Sequence, residues 1–144
     1  MDPQILVRAT DKTSLSEADL LAGRRLIDAL ARRGIEIVAA MWLLLTEDKV
    51  WRLYLASAFV ETEGPRMLYR IIESTMREEE IPISMWDVAV TNTRHEMVHG
   101  WRRRSLDPVE GAVRINEGSI LGKDFDNGYV YLLEETAEEP RANR

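Results

Sequence analysis

Hydrophobic positions along this chain change period several times, and each change marks an element. Ser14-Leu15-Ser16-Glu17 reads as a capping box, in which a Ser hydroxyl accepts a free N–H and the Glu three residues on reciprocates. The helix it opens is expected to run to Arg33, burying Leu20, Ile27, Leu30 and Ala31, and to stop at Gly34. Ile35 to Leu45 is almost wholly apolar and predicts a central strand buried on both faces. Thr46-Glu47-Asp48-Lys49 is a polar turn, and Val50 to Leu55 is the returning strand of a hairpin. Gly64-Pro65 starts a second helix, with Pro suited to the first helical position. Met67, Leu68, Ile71, Ile72, Thr75 and Met76 recur at helical spacing, so that face is expected to pack on a sheet.

Glu78-Glu79-Glu80 reads as the solvated end of this helix, where negative charge is unfavourable and a basic neighbour would help. Ile81-Pro82 breaks the helix, and Met85 to Thr91 predicts a third strand. If that strand is parallel to the one before, a βαβ crossover follows. A short helix is expected from Arg94 to about Arg104, ended by Ser105-Leu106-Asp107-Pro108. Strands at Gly111–Asn116 and Tyr129–Leu133 close the pattern, the second entered through Asp126-Asn127-Gly128 read as a hairpin turn. Residues 1–12 read as an arm and residues 135–144 as an acidic, polar tail around a single domain at 13–134. The expected fold is α+β, order α-β-β-α-β-α-β-β, a mixed sheet of about five strands with helices mainly on one face.

Composition narrows the function classes. A chain of 144 residues, 45% apolar and 31% charged, has the balance of an ordinary globular domain. Its longest apolar run, Ile37 to Leu45, is too short to span a bilayer, and the N-terminus lacks the pattern of a secretory signal, so cytoplasmic residence is the expectation. There is no cysteine, which excludes disulfides, Cys-based zinc ribbons and thiol nucleophiles. The net charge of −6 disfavours wholesale binding to nucleic acid or anionic lipid.

The sharpest chemical pattern is His95-Glu96-Met97-Val98-His99, which holds both histidines of the chain. On a helix this spacing sets two imidazoles one turn apart, where they could share Zn²⁺ with Glu96 as general base. Three physical tests weigh against it. A catalytic zinc takes three protein ligands, and the third would have to be a downstream carboxylate such as Asp107, Glu110, Glu117, Asp124 or Asp126. On a helical wheel Met97, Val98 and Trp101 share the packing face, whereas His95 and His99 project with Arg102 and Arg103, whose guanidiniums oppose a cation. Thr93 and Glu96 also form a capping box, which gives Glu96 a role without metal. The expected cofactor is therefore none, with zinc on His95 and His99 as the alternative.

Trp51-Arg52-Leu53-x-Leu55-Ala56-Ser57, followed by Val60, Gly64-Pro65-Arg66 and Tyr69, resembles a group of uncharacterised small bacterial proteins. The resemblance extends more loosely from Ala22–Ile27 to Tyr129–Leu132. These are core and turn positions, so it supports the fold and a bacterial origin and implies no chemistry.

Arg94, Arg102, Arg103 and Arg104, with Trp101 among them, form a candidate anion site, because Arg binds phosphate through a fork and Trp stacks on bases. A solvated helix end explains the same residues. Asp87, placed in an apolar strand, needs a partner such as an Arg, and Trp42, Trp51 and Trp86 are expected in the core or at a dimer interface. With no nucleophile arrangement, phosphate loop or complete ligand set, the sequence favours a non-catalytic module acting through a protein partner or self-association. A zinc hydrolase and an Arg-mediated nucleic-acid binder are the rivals.

Overall fold

A computed structural model describes residues 12–93, 112–120 and 122–133. Ser16, not Ser14, caps the first helix: its side chain accepts from the Asp19 backbone N–H, and the Asp19 carboxylate accepts from the Ser16 backbone N–H at 2.8 Å. The box is thus shifted by two residues, since Asp19 sits three beyond Ser16 as the geometry requires. Helix α1 (Glu17–Arg32) buries Leu20, Leu26, Ile27 and Leu30. Ala31 is exposed and Ala29 takes its expected place in the core. Gly34 follows the helix at φ +86°, a left-handed conformation natural to glycine.

Strands β1 (Ala39–Leu45) and β2 (Trp51–Ala56) form the expected antiparallel hairpin. Helices α2 (Phe59–Glu63) and α3 (Pro65–Glu78) lead to β3 (Val88–Thr91), which pairs parallel to β2 and completes a βαβ crossover. Strands β4 (Val113–Ile115), β5 (Gly118–Ile120) and β6 (Lys123–Leu133) supply the rest. The sheet order is β3-β2-β1-β6-β4, with β5 also on β6. The fold is therefore α+β with a mixed six-stranded sheet, one strand more than expected.

β4 and β5 keep one register against β6 on both sides of the break at residues 116 and 117, so they act as a single interrupted strand. Asp126-Asn127-Gly128 is not the hairpin turn. It lies inside β6, where Asn127 and Gly128 pair with Leu44 and Leu43 of β1. The turn sits between Ile120 and Lys123, with Gly122 at φ +81°. Glycine is required at 128 because a Cβ there would come within 2.5 Å of Leu43 Cδ2 and 2.9 Å of Ile115 Cγ1.

Two apolar clusters flank the sheet. Helices α1 and α3 pack with Trp42, Trp51, Leu53, Leu55 and Tyr131 on one face. The other face gathers Met41, Leu43, Tyr54, Ile115 and Phe125, to which no described helix contributes. β1 is thus buried on both faces, as its unbroken apolar run predicts. Desolvation on that second face pushes the Tyr54 phenol above its ordinary pKa, against the opposing pull of the Arg52 charge.

The basic partner anticipated for the acidic run is present. Arg32 and Arg33 meet Glu79 at 2.7 and 3.3 Å, Arg33 meets Glu78 at 3.0 Å, and Arg25 donates to the Glu79 carbonyl. These contacts join the C-terminal ends of α1 and α3, where positive charge offsets both helix dipoles.

Candidate functional site

The end of β2 is pinned by a buried hydroxyl. Ser57 Oγ donates to the Glu36 carbonyl at 2.7 Å and accepts from the Phe59 backbone N–H at 3.1 Å. Its own backbone N–H donates to the Thr91 carbonyl at 3.1 Å, which ties the carboxyl ends of β2 and β3 together. The chain then makes the short α2 and reverses at Gly64, whose φ of +87° and ψ of 158° are open to glycine but strained for other residues. Pro65 enters α3 as its first residue, as expected from Gly64-Pro65.

Between these pieces lies a cleft of about 440 Å³ lined by Val60, Glu61, Pro65, Val90, Thr91 and Asn92. It sits at the carboxyl ends of the parallel pair, the side on which open α/β sheets commonly take ligands. Two hydrogen bonds fix its walls. The Val90 backbone N–H donates to the Tyr69 hydroxyl at 3.1 Å, which also occupies a donor at the edge of β3. Thr93 Oγ1 donates to Glu61 Oε2 at 2.9 Å. Among the described lining residues half are aliphatic and half polar, and Glu61 is the charged one.

Residues 85–91 do not form the continuous third strand expected from the sequence. Ser84 Oγ accepts the Trp86 N–H at 3.2 Å and caps a 3₁₀ turn over Met85–Asp87, so β3 starts only at Val88. Asp87 is buried at the end of this turn rather than within a strand. Trp42 and Trp51 belong to the core at 0% and 6% exposure, but Trp86 is 66% exposed. The core expectation fails for Trp86 because the 3₁₀ turn rotates its side chain off the strand's pleat. Its carbonyl is held by the Arg52 guanidinium across the gap to β2.

Arg94, His95, Glu96, His99, Arg102, Arg103 and Arg104, together with Trp101, Asp107 and Glu110, lie outside the described residues. Of the further carboxylates considered as third zinc donors, Asp126 is already engaged by Thr46 Oγ1 at 2.7 Å and Lys49 Nζ at 2.8 Å. Those hydrogen bonds, Lys49 first, hold its carboxyl below the ordinary carboxylate range. Among the described residues, no three His, Asp or Glu side chains converge as metal ligands. No described helix is long and apolar enough to cross a membrane.

No family model matches this chain, and no curated protein or solved structure does either.

Proposed function

We propose that the chain is a non-catalytic interaction module that binds a protein partner or a second copy of itself, with Trp86 as its anchor. The carrying observation is the contrast among the described tryptophans: two are sealed in the core and the third presents most of its indole to solvent. An exposed Trp on a mobile loop would say little. Trp86 is instead fixed through its backbone on both sides, by Ser84 at its N–H and by Arg52 at its carbonyl. A pre-positioned aromatic loses little conformational freedom on binding, and Trp is enriched among interface residues that carry most of the affinity. Burying about 150 Å² of indole corresponds to roughly 3–4 kcal/mol before the costs of association.

The experiment compares wild type with Trp86→Ala, and with Leu21→Ala as a control at a second exposed apolar residue on α1. Sedimentation equilibrium reads self-association, and retention on a tagged copy reads a specific partner. Trp86→Ala is expected to weaken the association about 30-fold, equivalent to about 2 kcal/mol, with Leu21→Ala near wild type. A wild-type chain that is monomeric and retains nothing, or an association indifferent to Trp86→Ala, overturns the reading.

A further inference from the structure

We propose that Arg114 and Asn127 bind a carboxylate carried on a short stem, on the sheet face beside Tyr129. This goes beyond the role of Trp86 and does not depend on it. The pairing register places the site. Arg114 of β4 lies directly opposite Tyr129 of β6, so both side chains project from one face of the sheet, and Asn127 shares that face by alternation. Arg114 Nε donates to Asn127 Oδ1 at 3.1 Å, and the guanidinium lies over the Tyr129 ring, 5.9 Å from its centroid. The same Asn127 oxygen accepts the Gly128 backbone N–H at 2.9 Å. Two donors on that oxygen fix the orientation of the carboxamide, which leaves its nitrogen as a further donor beside the guanidinium.

Other described arginines set Arg114 apart. Arg32, Arg33 and Arg77 pair with carboxylates, Arg25 and Arg52 donate to backbone carbonyls, and Arg66 and Arg70 are exposed to water. Arg114 is half-buried, and its one described acceptor is the neutral amide of Asn127. The nearest carboxylate along β6, Asp126, is taken by Thr46 and Lys49. Among the described residues, then, this guanidinium has no counter-charge, and both its terminal nitrogens remain as donors. Stacking on Tyr129 and the bond through Nε hold its plane, so little side-chain freedom is lost when a ligand docks. The free fork matches the two oxygens of a carboxylate. One guanidinium also neutralises one carboxylate, whereas a phosphate group carries close to two charges and would leave an excess on a chain of net charge −6. Leu44, half-buried and opposite Asn127 in β1, offers an apolar surface to the stem.

A carboxylate could reach the site from two sources, a free short-chain acid or an acidic side chain of a peptide. The test titrates the whole chain with propionate, Nα-acetyl-glutamate methylamide, propionamide and inorganic phosphate at constant ionic strength. It follows the backbone amide resonances of Asn127, Gly128 and Tyr129 and the Nε–H resonance of Arg114. Saturable shifts are expected with the two carboxylates, none with propionamide, and weaker binding with phosphate. Tighter binding of the glutamate derivative assigns the peptide source, and tighter binding of propionate the free acid. Arg114→Lys keeps the charge but loses the fork, and should weaken carboxylate binding about tenfold, while Arg66→Lys, at an exposed position, should bind as wild type does. The Arg114 Nε–H shift in the wild type reads the contact without any variant. No shift with either carboxylate, an equal response to propionamide, phosphate bound as tightly as the carboxylates, affinity unchanged in Arg114→Lys, or an equal loss in Arg66→Lys would each overturn the proposal.

Discussion

Tyr131→Phe removes one oxygen atom from the interior and should destabilise the fold by about 2 kcal/mol. The Tyr131 hydroxyl accepts from Trp42 Nε1 at 3.0 Å and donates to the Leu20 carbonyl at 2.5 Å, tying β6 to β1 and to α1. Trp42 is fully buried, so its indole N–H would have no water to turn to, and an orphaned buried donor costs about 1–3 kcal/mol. The Leu20 carbonyl keeps its helical N–H and adds less. Urea unfolding followed by far-UV circular dichroism reads the change. With a slope of about 1–3 kcal/mol per molar, the midpoint should fall by roughly 1 M with the slope unchanged. Gly23 provides the internal check, because a Cβ there would lie 2.3 Å from Tyr131 Oη and 3.0 Å from Trp42 Nε1. Gly to Ala in a helix normally gains about 1 kcal/mol, yet here it should cost stability. In the Tyr131→Phe background part of that clash is gone, so the double mutant should lose less than the two single losses together. Additivity within about 0.5 kcal/mol, or a Tyr131→Phe loss below that value, would refute the account.

Other outcomes follow from single contacts. Gly64→Ala should cost about 1–3 kcal/mol by the same urea assay although nothing lies within 4 Å of the added carbon, since the penalty is purely one of backbone conformation. Partial burial raises the Asp19 pKa, but the Ser16 N–H and the Lys12 ammonium at 2.9 Å outweigh it and hold the carboxyl below its ordinary value. A lowered folded-state pKa contributes stability that is complete above about pH 4 and lost as pH falls through the lowered value, so Asp19→Asn should flatten the acid limb of a stability–pH curve. Purified protein should carry no stoichiometric zinc by elemental analysis, and one zinc per chain that disappears in His99→Ala would reverse that expectation.

The elements written in one local pattern were legible. The nine-residue apolar run became the doubly buried β1, and Gly64-Pro65 became the start of α3. Features decided by distant contacts were not. Asp126-Asn127-Gly128 has turn composition, but Asp126 faces Thr46 and Lys49 of the first hairpin, and Gly128 is set by the closeness of Leu43 and Ile115. Trp86 lies in a segment of strand-like composition, and the Ser84 cap that coils Met85–Asp87 is set by a single side-chain contact that composition does not register. The capping box slid from Ser14 to Ser16 because Asp serves at the third position as well as Glu. The cleft was invisible in the sequence because its walls come from residues 60–65 and 90–92, joined only by the crossover. Its local signal is the Gly64-Pro65 reversal into α3.

The central position of β1 between β2 and β6 bears on how this protein is made. One flank is closed by a partner a few residues downstream, the other by a strand some ninety positions later, as Trp42 opposite Tyr129 illustrates. A nascent chain leaving the ribosome must therefore carry an apolar strand with one open side until β6 has been translated. Loop closure over such a span is slow, so the vulnerable interval for misassembly falls during synthesis, and chaperone demand should be highest just before β6 emerges.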